Sequence, residues 1–119
     1  MMTLYVKSIF AEPAATDGFR VFVDSQFPAG VVQEAVQLDL WLGQIAPSFR
    51  LQKWFRDDRD KWESFCEQYY EELDANNTAV TELFQQATGE KITLLFAAKD
   101  MRCNTAVALK AYLEGEDIG

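Results

Sequence analysis

Histidine is absent from the chain, and that absence excludes a good deal of chemistry. Ser-His-Asp and Cys-His nucleophile pairs, histidine-ligated metals and ordinary histidine acid–base catalysis are all removed. Any catalysis falls to carboxylates, lysine, tyrosine or cysteine. Cysteine is scarce. Cys66 and Cys103 are the only two, and they are not close-spaced, so they read as reduced thiols and not as a disulfide framework or zinc site. Positive charge is also short: 11 Lys and Arg face 19 Asp and Glu, for a formal charge of −8. A polyanion would meet a repulsive field, so nucleic acid is a poor partner. No apolar run approaches the ~18 residues of a membrane span, and the start of the chain has neither a basic region nor a long apolar stretch. A cytoplasmic protein with no membrane association is expected. No GxGxxG, no phosphate-cradling loop and no HExxH occurs, so neither a cofactor nor a metal is expected.

What is present points to one α/β domain. At 119 residues with 49% apolar content, residues 1–119 can bury their own core without disulfides or metal. The stretch Lys91-Ile-Thr-Leu-Leu-Phe-Ala-Ala-Lys99-Asp100 is apolar without alternation from Leu94 to Ala98, as in a strand buried on both faces. It predicts the central strand of a sheet, with helices covering both sides. Leu4 to Phe10 and Phe19 to Asp24 read as two further strands, the first ended by Pro13, with Phe19, Val21 and Val23 on one face and Phe22 on the other. The direction of the first strand stays open. Leu38, Trp41, Leu42 and Ile45 recur at the spacing of one helical face, predicting a helix over 32–46 that stops before Pro47.

Leu51, Trp54 and Phe55 predict a short helix. Asp57 and Asp58 then offer an N-cap for a longer one with Trp62, Phe65, Cys66, Tyr69 and Leu73 inward and Glu63, Glu67 and Glu71 outward. A fourth helix carries Val80, Leu83, Phe84 and Ala87, is capped by Asn76 or Asn77, and ends at Gly89. A fifth covers 104–113, and residues 114–119 are expected to fray. The predicted architecture is a small, mostly parallel three-stranded sheet flanked by about five helices.

Ligands of open parallel sheets bind beyond the carboxyl ends of the strands. Those ends supply Asp24 and Ser25, then Lys99 and Asp100, with Lys7 added if the first strand is parallel. The helix starting at Asn104 contributes free N–H groups that attract anions. A structural role is the alternative, in which Asp100 only caps the last helix and Lys99 pairs with Asp24. Cys103 sits beside Arg102, near Lys99 and at a helix start, all of which would lower a thiol pKa, so it is the best nucleophile candidate. Cys66 lies on a core stripe and reads as packing. Arg50, Lys53, Arg56, Arg59 and Lys61, interleaved with aromatics but diluted by Asp57, Asp58 and Asp60, read as a solvated helical corner. That acidic trio lacks the glycine and closing glutamate of a calcium loop.

The blocks Gly18-Phe-Arg-Val-Phe-Val-Asp24, Leu38-Asp-Leu-Trp-Leu42 with Ala46-Pro-Ser48, Lys53-Trp-Phe55 and Leu94-Leu-Phe-Ala-Ala-Lys-Asp100 followed by Asn104 resemble the YeaO-like family of small bacterial proteins, within the domain-of-unknown-function 488 group. The resemblance implies a compact α/β domain and brings no established activity. In that family's pattern the first strand ends in Lys-Arg, Asp-Arg-x-Trp-Pro-Arg-Gly follows the second, and a histidine precedes the asparagine. Here those positions hold Lys7-Ser8, Asp24-Ser25-Gln26-Phe27-Pro28-Ala29-Gly30 and Cys103-Asn104. Three arginines and a histidine are missing, which marks a divergent member with a weakened anion grip. Two functions remain open. One is binding of a small polar or anionic ligand at Lys7, Asp24, Ser25, Lys99, Asp100 and Asn104. The other is a non-catalytic protein-interaction module, with a protein partner or a second copy facing the acidic helices that carry ten of the nineteen carboxylates between Asp57 and Glu90.

Overall fold

Ile92, Thr93, Leu94, Leu95 and Phe96 are each no more than 2% exposed, because their strand has a neighbour at each edge and cover on each face. The computed structural model describes residues 2–115. Four strands, β1 (Thr3–Ser8), β2 (Phe19–Phe22), β3 (Leu40–Trp41) and β4 (Lys91–Phe96), form one sheet in the order β1-β4-β2-β3. Every pairing is parallel, from Thr3↔Lys91 to Ser8↔Phe96 on one side of β4 and from Phe19↔Ile92 to Phe22↔Leu95 on the other. The central position of β4 follows the sequence reading. The first strand is parallel, and the sheet has four strands where three were expected.

The fourth strand replaces the helix expected over 32–46. That segment holds a 3₁₀ turn at Gln33–Val36, then β3, then a second 3₁₀ turn at Gly43–Ile45. Asp39 and Leu42 donate their N–H groups to the carbonyls of Arg20 and Phe22, and the Asp39 carboxylate accepts the Arg20 N–H at 2.8 Å. Gln37 at φ 53 interrupts any helix. The apolar residues that mimicked one helical stripe divide between two layers: Leu42 and Ile45 enter the main core while Leu38 packs on the opposite side of the sheet.

Four helices remain: α1 (Phe49–Phe55), α2 (Trp62–Ala75), α3 (Asn77–Gln86) and α4 (Thr105–Glu114). Ser48 caps α1, accepting from the Leu51 N–H while its own N–H and hydroxyl reach the Glu72 carboxylate at 2.7 and 2.6 Å. Two hydrogen bonds to one carboxylate thereby fix α1 against α2. The predicted stripe of α2 is buried at Phe65, Cys66, Tyr69 and Leu73, and the Tyr69 hydroxyl donates to the Ile45 carbonyl at 2.7 Å. Asp58, not Asp57, caps the turn before α2, accepting from the Asp60 N–H. The Asn76 side chain donates to the Gln44 carbonyl instead of capping α3. That helix ends at Gln86 with Ala87 as its C-cap, short of Gly89, and Phe84 is 40% exposed rather than inward. Of the expected frayed tail, Glu114 closes α4 and Gly115 caps it, while residues 116–119 lie outside the described residues.

All four helices pack on one face of the sheet, against Leu4, Val21, Val23, Ile92, Leu94 and Phe96. The other face, expected to carry helices too, is covered by the connections around the first three strands. Ile9, Phe22, Val36 and Leu95 form its apolar half, with Phe27, Val31 and Leu38 from the loops. Its polar half centres on Asp17, whose carboxylate takes Lys7 at 2.9 Å and Arg20 at 2.5 Å. Pro13, Pro28 and Gly30 in these short connections oppose helix formation, which is why loops do the covering.

Candidate functional site

β2 and β4 run parallel and side by side, so their carboxyl ends open together onto the start of α4 and the end of α1. A crevice of about 390 Å³ lies there, lined by Asp24, Ser25, Gln52, Arg56, Asp57, Asn104 and Thr105, with Phe55 and Phe65 on its apolar side. Asp24 is held from two sides. One carboxylate oxygen accepts the Ala97 N–H at 2.9 Å just past β4, and the Thr105 side chain hydrogen-bonds the carboxylate as well. Burial pushes the Asp24 carboxyl above its ordinary value. The Ala97 and Thr105 bonds work against that shift, and the negative charge of Asp57 adds to it.

Of the six ligand-binding residues expected from sequence, Asp24, Ser25 and Asn104 line this crevice and the other three do not. Asn104 is 3% exposed and is engaged as the N-cap of α4: its oxygen accepts the Val107 N–H and its amide donates to the Asp100 carbonyl, both at 2.9 Å. Asp100 is held by Arg59 through two bonds of 2.7 and 2.8 Å and by the N–H groups of Arg102 and Cys103. Arg59 above all, then those N–H groups, keep its carboxyl well below the usual range. It ties the loop before α4 to the turn before α2 and does not cap α4. Lys99 is exposed at the end of β4. Its expected pairing with Asp24 gives way to Ala97 and Thr105. Lys7 points to the loop-covered face of the sheet and is paired with Asp17.

Gln52 and Thr105 were not singled out in the sequence, and Arg56 and Asp57 were read there as part of a solvated corner and as an N-cap, not as lining of the crevice. Arg56 and Asp57 adopt consecutive left-handed conformations at φ 46 and φ 58, which turn the chain off α1 and set Asp57 on the crevice. Aspartate tolerates that backbone better than most residues, but nothing in a run of alternating charges signals it. The neighbouring basic residues are distributed as a solvated corner: Arg59 serves Asp100, and Lys61 lies 4.9 Å from the centre of the Trp54 ring.

Cys103 does not have the lowered thiol pKa that its neighbours in sequence implied. Burial first, then the Asp100 carboxylate, push the thiol up, against the smaller pull of Arg59 and Arg102. Alkylation of Cys103 by iodoacetamide at neutral pH should therefore be no faster than that of free N-acetylcysteine; a rate tenfold faster would reinstate an activated thiolate. Cys66 is buried and its thiol is pushed up to about 12, chiefly by burial. Among the described residues no three His, Cys, Asp or Glu side chains cluster to hold a metal ion. No helix there is long and apolar enough to cross a membrane.

Residues 3–117 match the sequence family DUF488-N3i, described as the inactive DUF488-N3 subclade. The chain is 31% identical over 112 residues to "Uncharacterized protein YeaO" of Escherichia coli (strain K12), which covers 94% of this chain and 97% of that one. It is 26% identical over 110 residues to "Uncharacterized protein Rv3073c" of Mycobacterium tuberculosis (strain ATCC 25618 / H37Rv), 92% of each chain. No solved structure matches it.

Proposed function

Because the chain belongs to the YeaO-like DUF488 family and matches its subclade described as inactive, we propose that it works by binding and not by catalysis, holding a small polar ligand in the crevice at the carboxyl ends of β2 and β4. The observation that carries this reading is the Asp24 carboxylate, kept on the crevice although burial disfavours its charge. A purely structural position would be served as well by an uncharged amide, whose oxygen can accept the same Ala97 N–H. The absence of histidine and the raised Cys103 thiol argue in the same direction, since they leave neither a histidine base nor an activated thiol to serve the crevice.

Asp24→Asn tests this. The folded state raises the Asp24 pKa, so on raising the pH the unfolded chain loses this proton first. The ionised group then opposes folding, by about 1.4 kcal/mol for each tenfold loss of acidity that folding imposes on it. The variant is expected to melt higher than the parent at pH 7. The gap should close as the pH falls below about 3.9, where the carboxyl is protonated in both states. A ligand at 100 times its Kd adds about 2.7 kcal/mol of stability, so a thermal-shift screen of polar metabolites on the parent should give hits that vanish in Asp24→Asn. Hits that persist undiminished, or none across the panel, would overturn the reading. They would leave the exposed row Glu63, Glu67 and Glu71 on α2 as the surface to probe for a protein partner.

A further inference from the structure

We propose that two copies of the chain join edge to edge along β1, antiparallel about a twofold axis through Val6, so that their sheets continue into one another. The contact is separate from the crevice, which lies at the carboxyl ends of β2 and β4. The two edges of the sheet differ in how they are protected. On one side β3 has only two residues, Leu40–Trp41, and a very short edge strand is a poor template for another chain. On the other side β1 has six, paired without a bulge from Thr3↔Lys91 to Ser8↔Phe96, with no proline or glycine among them. Its one charged residue is Lys7, and that charge is held by Asp17 on the loop-covered face. Brevity, proline, a bulge and a free lysine, the ordinary guards of an edge, are all missing from β1.

The groups left free along β1 have the spacing that a second β1 needs. Thr3 and Ile9 donate their N–H groups to the carbonyls of Glu90 and Phe96, both at 2.8 Å. Backbone groups alternate in direction along a strand, so the N–H and C=O of Leu4 and Val6 and the N–H of Ser8 point away from β4. Among the described residues no other hydrogen bond takes them. Turned about Val6, each Val6 exchanges two hydrogen bonds with its counterpart, and each Leu4 exchanges two with Ser8 of the other copy. The Ser8 carbonyl already accepts the Ala11 N–H and has a second lone pair for this.

The side chains and the charge fit the same partner. Tyr5, 45% exposed, falls opposite Lys7 of the other copy, beside a hollow of about 260 Å³ whose lining includes Tyr5, Lys7, Thr16 and Lys91. The Lys91 ammonium donates to the Thr16 carbonyl and lies 5.3 Å from the centre of the Tyr5 ring. A second tyrosine ring entering the hollow meets two ammonium groups, which favour its face. Each chain has a formal charge of −8, and all nineteen carboxylates follow residue 11. An acidic row such as Glu63, Glu67 and Glu71 on α2 would repel its own image, whereas β1 brings no carboxylate to a contact between copies. Such a contact is isologous, the same patch serving both subunits.

The test is sedimentation velocity of the full chain from about 1 to 500 µM, a range that brackets a micromolar self-association, with amide hydrogen exchange read at both ends of it. A dimer is expected at the upper end, with exchange at Leu4, Val6 and Ser8 about tenfold slower or more than in the dilute monomer. Val6→Pro removes only an N–H that faces away from β4, a position where an edge strand accepts proline, so it should fold and stay monomeric. Tyr5→Lys, which adds a third ammonium group at the hollow, should weaken dimerisation about tenfold or more and decides the matter if Val6→Pro does not fold. Phe49→Ala removes the ring of a 74% exposed residue of α1 and should leave the dimer unchanged. A monomer at every concentration would overturn the proposal and leave the β1 edge to a strand of some other protein. A dimer that persists in the folded edge variants, or that forms without slower exchange at Val6, would overturn it as well.

Discussion

Asp17→Ala is expected to destabilise the protein by about 3–5 kcal/mol, the range found when one partner of a buried ion pair is removed. The Arg20 side chain is 5% exposed and its main charge partner is Asp17, at 2.5 Å. Its other contacts are the carbonyls of Val36 and Gln37, at 2.6 and 3.1 Å, which accept hydrogen bonds but carry no charge to balance the guanidinium. Lys7, at 2.9 Å from the same carboxylate, would be stranded as well. Asp17 also accepts the Ala14 N–H with its side chain, a further anchor of the loop that the substitution removes, while the bond from the Thr93 hydroxyl to the residue-17 carbonyl is kept.

The dependence on pH has a definite sign. Burial alone would raise the Asp17 carboxyl, but the Ala14 N–H and the Lys7 and Arg20 cations outweigh it and hold the group below its ordinary value. The stabilisation it gives is therefore complete above about pH 4 and is lost as the pH falls through the lower, folded-state value. Urea unfolding at pH 7 should show a lower midpoint with an unchanged slope, and the parent and Asp17→Ala should converge in acid. Removing both charges, as Asp17→Ala with Arg20→Met, should recover part of the loss because no unpaired ion is left buried. A loss under about 1 kcal/mol for Asp17→Ala would show that Arg20 swings out to water and that the cluster is ordinary surface.

Gly18→Ala should be nearly as damaging, for a steric reason. Gly18 has φ 69 and ψ −137, a region that residues with a Cβ rarely adopt, and a Cβ built there would lie 2.5 Å from the Lys91 Cβ and 2.6 Å from the Lys91 carbonyl oxygen. One of those atoms is backbone of the central strand, so relief requires moving β4 or the turn into β2. Backbone strain of about 1–3 kcal/mol and overpacking of about 1–3 kcal/mol add to an expected loss of about 3 kcal/mol or more. Gly30→Ala is the matched comparison. Gly30 also has a positive φ, of 81, but nothing lies within 4 Å of the added Cβ, so its loss should stay near 1–2 kcal/mol. Thermal unfolding of the two variants side by side checks this. Equal melting temperatures would mean that Gly18 is needed for its backbone alone and that the approach to Lys91 is not tight.

The parts of the fold legible in the sequence are those where one physical demand acts on one segment. Ile92 to Phe96 read as a central strand because cover on both faces leaves no polar alternation, and Phe65, Cys66, Tyr69 and Leu73 read as a helix because α2 buries a single stripe. The segment through Leu38, Trp41, Leu42 and Ile45 misled because it serves two layers at once. Its residues go to opposite faces of the sheet, and their spacing happens to match 3.6 residues per turn. The loop-covered face was invisible for a related reason: its stability comes from Arg20, Asp17 and Lys7 meeting across β1, β2 and the turn between them, and such long-range pairing leaves no periodic trace. At the crevice, Asp24 and Ser25 could be placed from a strand end and Asn104 from the start of the helix that follows β4. Asp57 could not, because its position depends on how α1 ends at Arg56, and Lys99 and Asp100 were misplaced because the chain turns away from the crevice directly after Ala98.

The strand order also constrains how the chain can be made. β1 has a single sheet neighbour, β4, and Thr3 is paired with Lys91. On a ribosome adding roughly 5–20 residues per second, the first strand emerges on the order of ten seconds before its partner exists. During that interval Leu4 and Val6 are nascent apolar residues with no sheet to join, and β2 has only the two-residue β3 beside it. The sheet therefore closes in one late event, when β4 slides between two strands already synthesised. Until then the first strand has no partner in its own chain, and its unpaired edges are open to another strand.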